Sequence, residues 1–375
     1  MLTETDDQRA LRSALRDFLT DRTEQGSREF LDGPTGFDPD VWRALGDELG
    51  VLGLGVSEDR GGSGGSHREK AVIAEELGRR LVPTPYLSTS VIGVELAAAG
   101  ADDYSAELLR QLVSGRVIAS VPAGAAMLTP AASAQLKART SDDGFRITGD
   151  VPNALHGAEA DIALVIAAED AGPAVFAVPL NTPQVVRTPL HTIDLTRRIA
   201  RLRFDDAPAH RLDVASATDA AARAYQVGAV LLASEQVGAM TSVLEMTLDY
   251  VRDRRQFERP IGSFQAVKHQ CADAALLVEQ AVSLVRHACD ALDGGDRLRV
   301  AESAALVGAF VGPSFFQVAR DALHLHGGLG YTWEYDAHLY YRKAKSDEFL
   351  LTTPGEARRQ LAVARFADST NGATQ

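Results

Sequence analysis

The glycines and prolines of this 375-residue chain are clustered, and the cluster most constrains what the chain can fold into. From about Val117 short apolar runs are punctuated by Pro122, Gly124, Pro130, Gly144, Gly149, Pro152, Gly157, Gly172, Pro173, Pro179, Pro183 and Pro189. That spacing leaves little room for helices and is the composition of strands and turns. Ile162 to Ala168 and Ala174 to Val178 are nearly continuous apolar runs of buried-strand length, and Ala200 to Phe204 alternates strictly. On either side the period becomes helical. Leu11, Leu15, Phe18 and Leu19, then Trp42, Leu45, Leu49 and Leu52, mark two amphipathic helices, with Gly26, Gly33, Pro34 and Gly36 as the loop between them and a third helix from about Arg68 to Arg80. After Asp213 the chain is alanine-rich to Met246, then periodic over 264 to 292, 297 to 322 and 335 to 345, with Gly294, Gly295, Gly327 and Gly328 as separators. The expected architecture is α+β in three domains: helical over 1–117, a β-barrel or sandwich over 118–212, and a four-helix-type bundle over 213–375.

Charge narrows the partners. A formal net charge of -13 argues against nucleic acid, which demands a basic field. Cys271 and Cys289 have neither disulfide density nor metal-ligand spacing and read as reduced core thiols. The N-terminus is charged with no apolar run behind it, and the longest apolar stretch, around 304 to 316, is interrupted by Gly308, Gly312 and Pro313. No membrane span and a cytoplasmic location are expected.

Residues 250 to 273 carry the most chemistry. A basic helix end, Arg252, Arg254 and Arg255, runs into Gln256 and Phe257; Pro260 and Gly262 then break the period before a new apolar face begins at Phe264, Val267 and Cys271. Guanidinium forks beside an aromatic ring at an accessible turn suit a phosphate-bearing ligand with a flat ring system. A solvated helix end explains the same residues, since Lys and Arg favour C-terminal turns. A second cluster, His324-Leu-His-Gly-Gly-Leu-Gly-Tyr-Thr-Trp-Glu334, places adjacent glycines where backbone could approach a ligand closely. A metal reading of His324 and His326 lacks further ligands nearby. The Gly-Gly-Ser-Gly-Gly-Ser run ending at Ser66 has neither a preceding strand nor a Lys-Ser/Thr pair, so it is a surface loop.

Arg254-x-Gln256-Phe257-x-x-Pro260-Ile261-x-x-Phe264-Gln265 resembles the Arg-x-x-Phe-Gly-x-x-Ile-x-x-Phe-Gln signature of the acyl-CoA dehydrogenase family, with Glu258 where Gly is usual. Leu-Gly-Leu-Gly-Val-Ser-Glu-Asp-Arg-Gly-Gly62 followed by Glu75-Glu76-Leu77-Gly78 resembles the family's first-domain pattern, and the Gly327-Gly328-x-Gly330-Tyr331 turn its Gln-x-x-Gly-Gly-x-Gly-Tyr segment, with His324 in the usual Gln position. The resemblance covers the whole chain and is strongest to bacterial members acting on bulky or steroid side-chain acyl-CoA esters. It implies FAD as cofactor and α,β-dehydrogenation of an acyl-CoA thioester, with electrons passed to an electron-transfer flavoprotein. It also implies a tetramer, homomeric or with a related subunit. Arg254, Gln256, Phe257, Ile261, Phe264, Val267, His324, Gly327 and Gly328 would then contact a neighbour's FAD.

The family's base is placed differently here. One usual position, counted from Arg342-Lys-Ala-Lys345, falls on Leu351, and the alternative, on the helix before the elbow, falls on Gly228. Glu235, two helical turns and roughly 10 Å beyond Gly228, is the nearest acid on that helix. On an apolar face, desolvation would raise its pKa toward that of a base; alternatively it pairs with an elbow arginine. The flavin-binding Thr-Glu-x-x-x-Gly-Ser-Asp and Trp-x-Thr segments correspond to Ser120-Val-Pro-Ala-Gly-Ala-Ala126 and Asn153-Ala-Leu155. Two functions remain: an enzyme using Glu235, or a non-catalytic partner that completes another subunit's FAD site.

Overall fold

The computed structural model describes residues 3–22, 31, 36–124, 135–142 and 144–371, with side chains to Phe366. The loop residues Gly26, Gly33 and Pro34, together with Ala125, Ala126 and Pro130, lie outside the described residues. The first block comprises α1 (Asp6–Arg22), α2 (Pro39–Asp47), α3 (His67–Arg79), a π-helical segment (Leu87–Gly93) running into α4 (Val94–Ala98), and α5 (Asp103–Val113). Helix α2 stops earlier than the leucine spacing suggests: Gly50 adopts φ 63°, and Leu52 is carried by a 3₁₀ turn over Val51–Gly53. Ser66 caps α3 with Glu69 in a reciprocal capping box, so the Gly-rich run before it ends in a fixed helix start.

The middle block is a closed sheet. Strands β1 (Ala119–Pro122), β2 (Leu136–Ser141), β3 (Gly144–Leu155), β4 (Ile162–Glu169), β5 (Gly172–Pro179), β6 (Val185–Pro189) and β7 (Ile199–Arg211) form one sheet in the order β1-β3-β2-β4-β5-β7-β6. The additional β3–β7 pairing closes the ring β3-β2-β4-β5-β7, making a barrel rather than an open sandwich. The β4 run is apolar on both faces for a stated reason. Ala163, Val165 and Ala167 fill the barrel with Phe176 and Phe204, whereas Ile162, Leu164 and Ile166 pack on the helices. Burying a side chain such as Phe176 completely contributes roughly 1.5–3 kcal/mol.

The last block holds α6 (Ala217–Asp253), a short hairpin of β8 (Arg255–Gln256) and β9 (Arg259–Pro260), α7 (Gln265–Gly294), α8 (Arg297–His326), α9 (Ala337–Asp347) and α10 (Pro354–Asn371). Gly308, Gly312 and Pro313 lie within α8, as the helical period over 297 to 322 predicts, and one expectation changes here. The segment long and apolar enough to cross a membrane is instead α6, and 78% of its apolar window is buried inside the protein: it is the core helix of the bundle. Helix α6 crosses α3 at backbone contact. A Cβ on Gly78 would stand 1.9 Å from Glu235 O, and one on Gly238 would stand 1.9 Å from Glu75 O. Only glycine at both positions permits that approach.

Candidate functional site

At its C-terminal end α6 delivers the elbow. Arg254 caps the helix in an extended conformation, its N–H donating to Tyr250 O. The chain then turns back as the β8–β9 hairpin, with Gln256 opposite Arg259, and Ile261 N donates to Arg254 O at 2.8 Å to close its base. The elbow is thus a hairpin rather than a frayed helix end. Both turn residues are left-handed, Phe257 at φ 52° and Glu258 at φ 66°, the geometry of a two-residue hairpin turn that glycine or asparagine normally fills. That strained turn projects Phe257 outward, 85% exposed. Beneath it the Arg259 guanidinium lies 4.0 Å from the centre of the Phe264 ring. Val267, with Leu248, Val251, Arg252, Pro260 and Cys271, walls a cavity of about 360 Å³ under the hairpin.

Tyr250 joins the elbow to the glycine turn. Its ring stacks on His326 at 4.5 Å and meets Tyr335 edge-on, and its hydroxyl donates to His326 O. His326 is buried, with Nδ1 2.8 Å from Ala322 O, so it is a packing residue. His324, two residues earlier, is exposed. Gly327 takes φ 58° and ψ -142°, a conformation open essentially to glycine alone, and a Cβ on Gly327 or Gly328 would meet nothing within 4 Å. Tyr331 and Trp333 stand exposed just beyond. The structure therefore brings Arg254, Gln256, Phe257, Ile261, Phe264, Val267, His324, Gly327 and Gly328 to one end of the bundle, around accessible backbone.

Glu235 is not part of that end. It lies 19 residues before Arg254, roughly 28 Å along the helix. Its expected environment is corrected as well. Its carboxylate accepts from Arg197 Nη2 at 2.7 Å and sits 2.6 Å from Lys343 Nζ. Burial alone would push its pKa up, but the two cations outweigh burial and hold it at about 2, the opposite of a poised base. Its partners come from the loop before β7 and from α9, not from the elbow. Nothing local in the sequence joins positions 197, 235 and 343; only the docking of barrel on bundle does.

The two positions where the family's base would sit are 123 residues apart in sequence and adjacent in space. A Cβ on Gly228 would lie 3.3 Å from Leu351 Cδ1 and 2.9 Å from Ile92 Cγ1. Leu351 is buried at φ 64°, and its N–H donates to Ala123 O at 2.9 Å, clamping the α9–α10 connection onto the end of β1. Tyr225 seals the same side through a hydrogen bond from its hydroxyl to Pro122 O. On the barrel side Asn153 is exposed and Leu155 is buried against Val121 of β1. The resemblance implies a flavin at this face of the barrel, and the described residues fit one poorly, since no aromatic ring is offered for stacking at 153–155; a cavity of about 290 Å³ remains beside Tyr225 and Leu351. Sequence counting found Gly228 and Leu351, and the Ser120 to Ala126 match took in Ala123; Ile92 and Tyr225, which carry no motif, were missed.

Comparison with known proteins agrees with this geometry. Residues 5–116 match the acyl-CoA dehydrogenase N-terminal domain family and residues 218–361 the acyl-CoA dehydrogenase C-terminal domain family. The chain is 33% identical over 328 residues to acyl-CoA dehydrogenase IpdE2 of Mycobacterium tuberculosis, covering 87% of this chain and 86% of that protein. Among solved structures it is similar to the ChsE4-ChsE5 complex from Mycobacterium tuberculosis, with a TM-score of 0.85 and 28% identity over 98% of this chain and 99% of that one. It is also similar to a variant of the Tcur3481-Tcur3483 steroid ACAD, with a TM-score of 0.87 and 26% identity over 97% and 99%. The helical, barrel and helical blocks, the elbow and the two terminal-domain matches agree: this chain belongs to the acyl-CoA dehydrogenase family.

Proposed function

We propose that this chain is the non-catalytic partner in a heteromeric acyl-CoA dehydrogenase, completing the FAD site of a related subunit while lacking a working slot of its own. The observation that carries this reading is the meeting of Gly228, Leu351 and Ile92, which leaves both positions of the family's base apolar, beside a cavity of about 290 Å³ whose lining among the described residues, Tyr225 and Leu351 included, holds no carboxylate. A carboxylate must reach the α-proton of a thioester for this chemistry to begin, and leucine and glycine accept no proton. The elbow, by contrast, is presented outward: exposed Phe257, exposed Arg254 and the open Gly327-Gly328 turn lie where another subunit's cofactor could be clasped. The assembly as a whole would carry out α,β-dehydrogenation of a bulky acyl-CoA ester, such as one bearing a steroid side chain, and pass electrons to an electron-transfer flavoprotein. The relatives support that choice, since one similar structure is a complex of ChsE4 with ChsE5 and another is named as a steroid ACAD.

The test is a visible absorption spectrum taken with the mass in solution, on the chain purified alone and co-purified with a related chain that carries the base. A colourless protein alone, and a flavin band only in the mixed assembly, is the expected result. A stoichiometric flavin band on this chain as a homo-oligomer would overturn the reading.

A further inference from the structure

The barrel meets the bundle through a buried cluster of charges with an odd acid. Arg197 and Asp194, both buried, come from the loop between β6 and β7; Glu235 comes from α6; Lys343 and Asp347, both buried, come from α9. Glu235 is held by Arg197 and Lys343, as described above. Asp194 Oδ1 accepts from Thr196 N at 2.8 Å and Thr196 Oγ1 at 2.7 Å, while its Oδ2 lies 3.8 Å from Lys343 Nζ. Asp347 is the poorly served member. Its Oδ2 is 3.1 Å from Lys343 Nζ, off the hydrogen-bonding direction, its Oδ1 is 3.6 Å from Arg197 Nε, and neither oxygen accepts a hydrogen bond. The other groups facing it are the Gln236 amide of α6, which donates to Asp347 O at 3.5 Å, and Glu348, occupied by Lys345. His156, at the end of β3, lies beside Arg197 and Glu235; burial and Arg197 push it down to about 3, so it stays neutral.

Three carboxylates therefore share two cations away from water. An uncompensated buried charge is costly, and the least expensive relief is one proton on the acid with no donors. We propose that this cluster is a proton-linked latch between barrel and bundle: the barrel loop docks with one proton on Asp347, and loss of that proton loosens the loop. The direction of the Asp347 shift agrees. Burial drives it up, Lys343 and Arg197 oppose, and Glu235 and Asp194 add to the rise, leaving it at about 6. A group raised in the docked state stabilises docking at low pH and loses that contribution as pH rises through the docked value. Glu235 acts in the opposite sense below its ordinary range, and His156, held at about 3 while docked, acts in the opposite sense below its ordinary value near 6.5, so the part carried by Asp347 is the difference between the parent and Asp347→Asn from about pH 5 to pH 7.

Hydrogen exchange of the full-length protein, read as protection factors for the peptide spanning residues 193 to 198, tests the latch. Opening of that loop in the parent, taken relative to Asp347→Asn, is expected to rise about tenfold between pH 5 and pH 7. Asp347→Asn carries no surplus charge and should show only the change that His156 gives to both proteins. Asp194→Asn removes the surplus by a second route and should move the slope toward that of Asp347→Asn, while Glu348→Gln should leave it as in the parent. The same slope in the parent and in a folded Asp347→Asn protein would overturn the proposal, as would an unaltered slope in a folded Asp194→Asn protein.

Discussion

Phe257 and Glu258 occupy left-handed backbone that their side chains disfavour, so the elbow carries a local cost traded for the outward aim of an aromatic ring. Glu258→Gly removes part of that cost and should stabilise the protein by about 1 kcal/mol, read as a higher urea midpoint at unchanged slope. Phe257→Ala removes a side chain that touches little of its own chain. It should shift stability by less than about 0.5 kcal/mol, yet lower the flavin content of the mixed assembly. Leu351→Glu puts a carboxylate in place of a buried apolar side chain beside Gly228. Introducing the acid there should destabilise the fold by about 3 kcal/mol in thermal or urea unfolding, because nothing has prepared the site for charge.

Among elements, the α3–α6 crossing is the tightest joint. At Gly78 and Gly238 an added methyl would meet backbone oxygen rather than a side chain that could swing aside. Gly78→Ala should therefore cost about 3 kcal/mol and lower the melting temperature, whereas Ser66→Ala, which removes only the α3 cap, should cost about 1 kcal/mol. The π-helical segment has a different consequence. Its extra residue per turn accompanies the placement of Ile92 against Gly228, so the apolar surroundings of Gly228 depend on this stretch of Leu87–Gly93 as much as on the α9–α10 connection.

For the whole molecule, the buried charges decide how the three blocks hold together with pH. Glu235→Gln removes the closest partner of Arg197 and Lys343, leaving them to the more distant Asp194 and Asp347, and should destabilise the protein by about 3 kcal/mol. Because the Glu235 carboxylate is held at about 2, its stabilising contribution is present above its ordinary range and is lost as pH falls below about 4.5 toward 2; the variant should lack that acid limb of the unfolding profile. Lower stability with unchanged turnover per bound flavin in the mixed assembly would separate this structural part from a catalytic one.

The sequence by itself determined the order helical, β, helical, because periodicity and turn residues act over a few positions: Ile162 to Ala168 reads as a strand buried on both faces and Leu11 to Leu19 as an amphipathic helix, while closure of the strands into a barrel came from the β3–β7 pairing. It also determined the elbow and the glycine turn, whose residues are contiguous. It reached Gly228 and Leu351 only as two separate vacancies, and it left Glu235 open between a desolvated acid and a partner of an elbow arginine, because no local pattern reveals that Arg197 and Lys343 arrive from other parts of the chain. Those outcomes belong to tertiary structure. A pKa, an apolar contact or a backbone crossing depends on which atoms lie within a few ångströms, and groups so far apart in sequence meet only when the barrel docks on the bundle.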